Sequence, residues 1–400
     1  MNISLYIAKR YLFSKSSNNT INIITAIATI GVVIGTMALF IVLSGFSGLK
    51  AFSLSFVDIA DPDFKITPTY GKSFFMTDSI KEVLNNDNRI AHYAEVIEER
   101  VFLEHGSKTH LGYIKGIEEN YIKVNNVDTA LVVGFWINFD FDHHAVIGNE
   151  ISNKLSMGIN DHLEPLKIYV PKPGKGYVES MKNDISTILT QSVGIFALTE
   201  EYDSKYVFIT KQKAQQLLEY DLNQISAIEV KVDNLDNRSN LITDLEEKLG
   251  ANFKIETREQ LNATFYRMLN IENLASYLVS TLILIIALFN VIGAIIMMIF
   301  DKRKNLTTLF NIGLQVKDIK RVFVLQGSLL CIIGLAIGLV LGIVLVVLQK
   351  QYHLFMITPS LAFPVEFKVI NVAVVIVTIL TLGYVAAKIA SSRITKSFIS

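Results

Sequence analysis

The chain has 400 residues, a formal net charge of zero at pH 7, a hydrophobic content of 51% and a mean hydropathy of +0.40. The apolar residues exceed what a soluble domain carries and are concentrated in four blocks, so the composition predicts an integral membrane protein. The single cysteine, Cys331, excludes an intramolecular disulfide and a cysteine-based metal site, and the acidic central segment argues against nucleic acid as a partner.

The N-terminal segment, residues 1–20, mixes basic and apolar side chains, among them Lys9, Arg10 and Leu12. This pattern is typical of an amphipathic segment on the cytoplasmic membrane surface. An uncharged run from Ser16 to Leu49 follows, and we assign residues 21–49 to the first transmembrane helix. The run starts too late and is too long for a signal peptide, so we expect it to remain in the mature protein.

The central segment, residues 50–272, is polar and acidic, and it mixes strand and helix patterns. Because the first helix leads out of the cytoplasm and the second returns, we expect an α+β domain outside the membrane. Asp58, Asp61 and Asp63 lack the glycine and glutamate of a calcium loop, and they predict an acidic, solvated linker. Strand patterns cover 64–68, 90–97, 110–116, 166–170, 192–198, 206–209 and 226–232, and helix patterns cover 79–84, 149–155, 211–220, 235–249 and 257–271.

The last third contains three further predicted transmembrane helices, 273–300, 322–349 and 369–387, none of which contains Asp, Glu, Lys, Arg or His. The connecting segment 301–321 and the tail 388–400 are basic, which places both in the cytoplasm together with the N-terminus, and leaves 350–368 as a periplasmic loop. The expected fold is therefore a polytopic α-helical membrane protein with four transmembrane helices and a large α+β periplasmic domain between helices 1 and 2.

Glycines recur at helical spacing in two of the predicted spans. Gly31 and Gly35 lie in the first, and Gly334, Gly338 and Gly342 lie in the third. Small residues four apart allow two helices to approach closely in lipid. Packing within the bundle is the favoured interpretation, and an interface between subunits is the alternative.

The cytoplasmic connector carries Leu306, Leu309 and Phe310 at helical spacing, followed by Gly313. This pattern predicts a two-turn amphipathic helix that ends at a glycine. Such a helix either lies on the membrane surface or docks into a groove of a soluble partner, and periodicity does not separate these two interpretations.

No constellation of residues in the sequence points to catalysis or to metal binding. Gly71-Lys72-Ser73 lacks the glycine that a phosphate-binding loop needs five positions earlier, and the adjacent His143 and His144 favour a surface pair over a metal site. Ion-coupled carriers need charge within the bilayer, which these spans lack, so any transport must draw its energy from elsewhere.

The chain closely resembles, over essentially its full length, the LolC/LolE family of permease subunits of the lipoprotein-releasing ABC transporter, within the group that includes MacB and FtsX. The shared segments are 6–12, 29–31, 42–46, 115–117, 147–150, 193–196, 201–203, 207–209, 228–232, 301–304 with Leu309 and Gly313, and 325–327. Their order and spacing together make the resemblance specific. The connector departs from the family at Phe310 and Asn311, where an arginine usually precedes a small residue.

The resemblance implies a non-catalytic membrane subunit in the inner membrane of a Gram-negative bacterium, with residues 50–272 as a MacB-like periplasmic domain. Its partners would be a LolD-like ATPase dimer, a second LolC/LolE-like permease or a second copy of this chain, a triacylated lipoprotein and a LolA-like periplasmic carrier. ATP would bind to the ATPase, and this chain would hold no cofactor.

Three groups of site residues follow from the resemblance and the residue pattern. The ATPase would dock on Leu306, Leu309, Phe310 and Gly313. Acyl chains would contact the outer half of the first helix at Ala38, Leu39, Val42, Leu43 and Phe46. The carrier would bind the loop 171–177 at Pro171, Pro173 and Gly174, although this loop matches the family's hairpin poorly and an ordinary surface turn is the alternative.

Two other functions remain open. One is a MacB-like or FtsX-like mechanotransmitter, in which ATP-driven motion reshapes the external domain to drive efflux or to activate a cell-wall hydrolase. The other, a membrane enzyme, is disfavoured because no catalytic residues converge.

Overall fold

A computed structural model of the chain describes residues 3–13, 19–160, 164–172, 185–235, 238–359 and 361–395. It divides into two compact units, one formed by residues 1–53 and 267–400 and the other by residues 54–266. The first unit is mainly helical and the second is an α+β domain.

The helices are, in chain order, α1 (Ile3–Phe13), α2 (Asn19–Ala60), α3 (Asp78–Asn85), α4 (Tyr121–Val124), α5 (Asn149–Leu155), α6 (Glu200–Asp203), α7 (Lys211–Leu218), α8 (Arg238–Leu249), α9 (Arg258–Leu261), α10 (Ala263–Asp301), α11 (Arg303–Asn311), α12 (Val316–Tyr352) and α13 (Val369–Ser392).

The strands are β1 (Phe64–Pro68), β2 (Phe74–Phe75), β3 (Ile90–His105), β4 (Lys108–Ile117), β5 (Leu131–Gly134), β6 (His144–Gly148), β7 (Leu166–Pro171), β8 (Ile185–Phe196), β9 (Tyr206–Thr210), β10 (Gln224–Ile225), β11 (Ala227–Val232), β12 (Phe253–Thr257), β13 (Met356–Thr358) and β14 (Leu361–Ala362).

The main sheet of the α+β domain has the strand order β12-β1-β11-β3-β4-β9-β6-β8-β5, and β7 pairs with both β3 and β8. These pairings join β3, β4, β9, β6, β8 and β7 into a closed ring. The ring closes because β3 and β8 are long. The first part of β8 pairs with β7 and its last part with β6, while β3 pairs with β11 and then with β4.

Two apolar clusters fill the α+β domain. One collects aliphatic side chains from most strands, including Ile66 and Ile114. The other is aromatic and contains Phe196 and Phe208, whose ring centroids lie 5.3 Å apart. Trp136, the only tryptophan of the chain, packs on Phe208 at 5.2 Å and therefore reports on the folding of this domain alone.

Several helices of the α+β domain begin where threonine side chains satisfy backbone N–H groups that have no partner within the helix. Thr77 accepts a hydrogen bond from the N–H of Ile80 at the start of α3. Thr257 and Gln260 form a reciprocal capping box at the start of α9. These caps fix the points at which strands give way to helices.

Four helices of the described chain are long and apolar enough to cross a membrane: residues Ala26–Ala60 of α2, and α10, α12 and α13. Each contains an 18-residue window of high mean hydropathy with few charges. They form the helical unit together with α1 and α11, around an apolar cluster that includes Phe40, Ile295 and Phe323.

The glycines of α12 pack on α2 within the helical unit. A Cβ atom at Gly334 would lie 2.6 Å from Cγ1 of Val32, and one at Gly338 would lie 2.5 Å from the carbonyl oxygen of Val33. Gly342 faces Phe40 at van der Waals distance or closer. The small-residue stripe thus serves packing between helices of one chain, which confirms the favoured interpretation of its spacing.

The segment between α12 and α13 lies against α2. A Cβ atom at Gly48 would lie 2.5 Å from the carbonyl oxygen of Pro364, the N–H of Glu366 donates to the carbonyl of Ser44 at 3.0 Å, and Asn371 Nδ2 donates to Ser47 Oγ at 3.0 Å. These contacts fix this end of α13 beside residues 44–48 of α2.

One expectation about the end of α2 is wrong. Asp63 is only 5% exposed, and Asp61 and Asp63 both accept hydrogen bonds from residues that follow about 200 positions later, so these aspartates do not form a solvated linker. Their partners, Arg258 and Asn262, lie where the chain enters α10.

Candidate functional site

The connector between α10 and α12 contains α11, a nine-residue amphipathic helix, as its apolar spacing predicts. The helix ends in a turn in which Gly313 adopts φ +102°, its N–H bonds to the carbonyl of Phe310 at 2.9 Å, and the N–H of Leu314 bonds to the carbonyl of Leu309 at 3.1 Å. Glycine is favoured at this position because other residues strain at a positive φ.

The apolar face of α11 packs on its own helical unit. Leu306 is 1% exposed and belongs to the apolar cluster of this unit, and Leu309 and Phe310 are half-buried against the same cluster. Of the four predicted docking residues, only Gly313 is exposed. The stripe that periodicity identifies therefore holds the connector in place, and Leu306 is not available to a partner in this structure.

An exposed apolar residue that the sequence analysis missed stands at the end of this helix. Ile312 is 79% exposed, the most exposed isoleucine or leucine of the connector, and Asn311 and Gly313 beside it are exposed as well. It lies outside the periodic stripe, so its signal in the sequence is an isoleucine that follows the stripe directly and precedes the terminating glycine.

The other end of the connector is tied to α1. Lys302 pairs with Asp301 at 2.9 Å, and its ammonium lies 5.9 Å from the ring centroid of Tyr11. The N-terminal helix and the connector are thus neighbours within the helical unit, and a partner that contacts one will lie close to the other.

The predicted acyl-chain residues on α2 do not share one environment. Leu39 is 1% exposed and belongs to the core of the helical unit, so it is not available to lipid. Ala38, Val42, Leu43 and Phe46 are half-buried. These four present partly open apolar surface, whereas Leu39 supports the packing behind them.

The predicted carrier-binding loop lies mostly outside the described residues. Pro171 ends β7, and Lys172 after it pairs with Glu219 at 2.7 Å. Pro173 and Gly174 belong to residues 173–184, which lie outside the described part of the chain. The proposed carrier contact therefore stays a prediction.

A buried ionic network that sequence reasoning missed crosses four strands of the α+β domain. Lys65 on β1 pairs with Glu98 on β3 at 2.5 Å, and Lys115 on β4 pairs with Glu229 on β11 at 2.9 Å. Lys65 also lies 3.7 Å from Glu229, and Tyr206 donates a hydrogen bond to Glu98 at 2.9 Å. Charged residues flanked by apolar ones in strand patterns, as in residues 114–116 and 228–230, are the signal that could have found it.

The network fixes the charge state of its members. Burial alone would raise the pKa of Glu98, but the ammonium groups of Lys65 and Lys115 and the hydrogen bond from Lys65 hold it at about 2. Glu98 therefore stays ionised at neutral pH. It stabilises the folded domain above its unfolded pKa near 4, and this contribution is lost only as the pH falls toward 2.

Metal binding, including binding by the two adjacent histidines, has little support in the described residues. Within them, no group of three or more His, Cys, Asp or Glu side chains could hold a metal ion. The rings of His143 and His144 lie 5.0 Å apart. The expectation of a surface pair is wrong for His144, which is buried, and burial lowers its pKa. The features that could act on a partner are the exposed end of the connector and the partly open face of α2.

Comparison with known families gives two matches that together cover most of the chain. Residues 25–248 match the model of the MacB-like periplasmic core domain, and residues 277–397 match the model of the FtsX-like permease C-terminal region. The first match begins within α2 and the second begins within α10 and ends beyond α13.

The chain is also similar to individual proteins. The chain is 26% identical to the lipoprotein-releasing system transmembrane protein LolC of Buchnera aphidicola, over 95% of this chain and 93% of that protein. It is 22% identical to LolE of Haemophilus influenzae, over 86% of this chain and 82% of the relative. A solved structure, the periplasmic region of MacB from Actinobacillus actinomycetemcomitans, aligns with 51% of this chain and 92% of its own length at 14% identity and a TM-score of 0.35.

Proposed function

We propose the following function for this chain, which belongs to the MacB-like periplasmic core domain family because the model of that family spans more than half of it. It is a permease subunit of a lipoprotein-releasing system. The observation that carries this conclusion is the match of nearly the whole chain, both units included, to proteins named LolC and LolE. The subunit would lie in the inner membrane, with its α+β domain in the periplasm and both termini in the cytoplasm.

The energy for release must come from a partner. Removing an acylated protein from a bilayer costs about 0.8 kcal/mol for each CH₂ group of its acyl chains, so a triacylated lipoprotein requires a large input. The predicted membrane spans, 21–49, 273–300, 322–349 and 369–387, carry no charge that could couple transport to an ion gradient. We therefore infer that an ATPase dimer binds ATP and hydrolyses it, while this chain transmits the resulting motion together with a second permease or a second copy.

The contact with that ATPase would lie at the exposed end of the connector. Ile312 offers apolar surface to the cytoplasmic side in the predicted topology, with Gly313 beside it and the half-buried Leu309 and Phe310 behind it. This revises the predicted docking surface, because Leu306 already packs inside the helical unit. A Leu306 variant would disturb the fold of the connector and would not test docking.

Replacing Ile312 by aspartate should reduce co-purification of the ATPase with the tagged chain by about ten-fold or more. Burying an isoleucine side chain contributes about 1.5–3 kcal/mol to an interface, and each 1.4 kcal/mol changes an affinity about ten-fold. Co-expression followed by affinity purification and quantitative immunoblotting would measure the effect.

The matched control is Leu354→Asp, at a residue that is 58% exposed and lies between α12 and α13, on the periplasmic side in the predicted topology. It should leave the ATPase yield unchanged. Full retention of the ATPase by Ile312→Asp would show that docking takes place elsewhere.

The acyl chains of the lipoprotein would contact α2. Ala38, Val42, Leu43 and Phe46 are the predicted contact residues that retain exposed surface, and Leu39 supports them from the core. A periplasmic carrier would then accept the lipoprotein, with Pro171, Pro173 and Gly174 as the proposed contact.

A photo-crosslinking amino acid at Phe46 should capture a lipoprotein in membranes that contain the complete system. The half-buried ring of Phe46 lies beside the predicted path of the acyl chains. The control position is Val377, which is 61% exposed further along α13 and should capture lipid without lipoprotein. Equal capture at both positions, or capture at neither, would contradict a specific acyl-chain contact on α2.

A second candidate, a mechanotransmitting subunit, is favoured by the length of α2. Its 42 residues extend for about 63 Å at 1.5 Å per residue, roughly twice the thickness of a hydrocarbon core. A continuous helix of this length can carry motion out of a membrane, whatever the external domain then acts on. Capture of lipoprotein at Phe46 would support the lipoprotein-releasing subunit, and no capture would favour the mechanotransmitting subunit.

A further inference from the structure

Two long helices begin or end inside the α+β domain. The last residues of α2, from position 54 on, and the first residues of α10, up to position 266, both belong to the compact unit formed by residues 54–266. The short helix α9 and Asn262 lead directly into α10. The polypeptide thus enters the domain through α2 and leaves it through α10.

Arg258, at the start of α9, binds the end of α2 and the residues after it. Its guanidinium donates to a carboxylate oxygen of Asp58, to a carboxylate oxygen of Asp63 at 2.8 Å and to the carbonyl oxygen of Pro62 at 3.1 Å. Its backbone N–H donates to the carbonyl of Asp63 at 3.2 Å. All three guanidinium nitrogens thus donate hydrogen bonds to residues 58–63, which lie about 200 positions earlier in the chain.

Neighbouring residues reinforce this junction. Asn262 Nδ2 donates to Asp61 at 3.0 Å, and the hydroxyl of Tyr202 donates to the carbonyl oxygen of Ala60, the last residue of α2, at 3.3 Å. The second carboxylate oxygen of Asp63 accepts the N–H of Val232 at 2.9 Å, which anchors the stretch to β11. The junction is therefore attached to the sheet as well as to α9.

The geometry needs arginine in particular. Asp58 is largely exposed and Asp63 is buried, and one planar guanidinium reaches both of them and a carbonyl at once. A lysine carries a single ammonium on a flexible stem and cannot hold three acceptors in a fixed arrangement. Asp58 belongs to α2. A contact that served only to stabilise the domain would not have to include a residue of this helix.

We propose that Arg258 is a positioning residue that joins the end of α2 to the entry of α10, so that the two helices act on the α+β domain as one element during lipoprotein release. This deepens the proposed function and rests on it. The acidic residues Asp58, Asp61 and Asp63, which the sequence presents as a linker, are the other half of this junction.

The test compares Arg258→Gln with wild type in the full complex, reconstituted with its ATPase in vesicles that contain a fluorescent triacylated lipopeptide, with a purified LolA-like carrier outside the vesicles as the acceptor. ATP hydrolysis should stay within about two-fold of wild type, and release of the lipopeptide for each ATP hydrolysed should fall about ten-fold, a size typical of coupling between sites. Arg258→Lys should lie between the two.

The matched control is Arg89→Gln. Arg89 also bridges two aspartates, Asp87 and Asp244 at 2.7 and 2.8 Å, but both lie within the domain. This variant should release lipopeptide at the wild-type ratio. Equal ratios for wild type and Arg258→Gln would overturn the proposal.

Restoring release with a chemical cross-link distinguishes a coupling role of Arg258 from a role in the stability of the domain alone. In a Cys331→Ala background, Asp58→Cys with Arg258→Cys should lose release, and a short bifunctional thiol reagent that links the two cysteines should restore it. Failure of the linked protein to regain release, together with a lowered unfolding midpoint of the domain, would assign Arg258 to stability alone and overturn the proposal.

Hydrogen exchange distinguishes failure of this proposal from failure of the proposed function. If wild type releases no lipopeptide, the assigned function is wrong, but the junction can still be measured. Amides of residues 58–63 and 258–262 should exchange faster in Arg258→Gln than in wild type, and Arg89→Gln should leave them unchanged. Equal exchange in all three proteins would overturn the junction itself.

Discussion

Replacing Glu229 by glutamine is expected to destabilise the α+β domain by about 3–5 kcal/mol, because it leaves a buried ammonium without its counter-charge. Lys115 and Glu229 are 3% and 1% exposed at their side chains, and their charged atoms lie 2.9 Å apart. Burial alone would lower the pKa of Lys115, but Glu229 and the neighbouring groups raise it well above its ordinary value. The lysine therefore stays charged in the folded domain and depends on its partner.

The fluorescence of Trp136 offers a selective measurement of this effect. It is the only tryptophan of the chain and lies in the aromatic cluster that also contains Tyr121, whose ring lies 5.3 Å from the Lys115 ammonium. Denaturant unfolding of the full chain in detergent, followed by this fluorescence, should give a lower midpoint for Glu229→Gln.

Two further variants decide whether the loss comes from the buried charge. Glu256→Gln removes an exposed ion pair with Lys254 of similar length, 2.7 Å, and should change stability by less than about 0.5 kcal/mol. Lys115→Met with Glu229→Leu removes both buried charges and should recover most of the lost stability. A loss below about 1 kcal/mol for Glu229→Gln would contradict the assignment.

Local sequence signals determine which strands and helices could be predicted. The strand 64–68 and the helix 149–155 are observed with the predicted bounds, because alternating burial and flanking turn residues are local signals. The predicted strand 90–97 extends to His105, and β5, β6 and β12 were missed. The pairing partners of β5, β6 and β12 lie far away in the sequence, so local pattern gives little indication of these three strands.

The aspartates after α2 show the same limit. The basic residue nearest to Asp58, Asp61 and Asp63 in the sequence is Lys65, which pairs with glutamates of other strands, and a solvated linker is the simplest interpretation of such an acidic cluster. The partners of these aspartates, Arg258 and Asn262, follow about 200 positions later. Only a fold that brings the end of α2 to the start of α9 turns this cluster into a junction.

The candidate docking site shows what periodicity can and cannot provide. The spacing of Leu306, Leu309 and Phe310 correctly predicts an amphipathic helix that ends before Gly313. An apolar stripe does not reveal what covers it, and here the helical unit itself covers Leu306. Ile312 is exposed because it follows the stripe at the helix end, where the backbone turns.

The close packing of the α12 glycines on α2 leads to the second prediction with a large expected effect. Gly338→Leu should lower the thermal unfolding midpoint of the helical unit by about 10 °C, since overpacking costs about 1–3 kcal/mol or more and each kcal/mol shifts the midpoint of a unit of this size by about 2–4 °C. Even a Cβ atom at Gly338 would lie 2.5 Å from the carbonyl oxygen of Val33 and 2.8 Å from Cβ of Thr36, so α2 and α12 would have to separate.

The reactivity of Cys331 toward a thiol-reactive dye measures this separation, because the only cysteine of the chain is 1% exposed in the apolar cluster of the helical unit. The control is Gly293→Leu on α10, where a Cβ atom would have no neighbour within 4 Å. In Gly338→Leu the dye should react at lower temperature while the fluorescence transition of Trp136 stays in place, since that residue belongs to the α+β domain. Equal midpoints for the two glycine variants would mean that close packing of α2 on α12 does not hold the helical unit together.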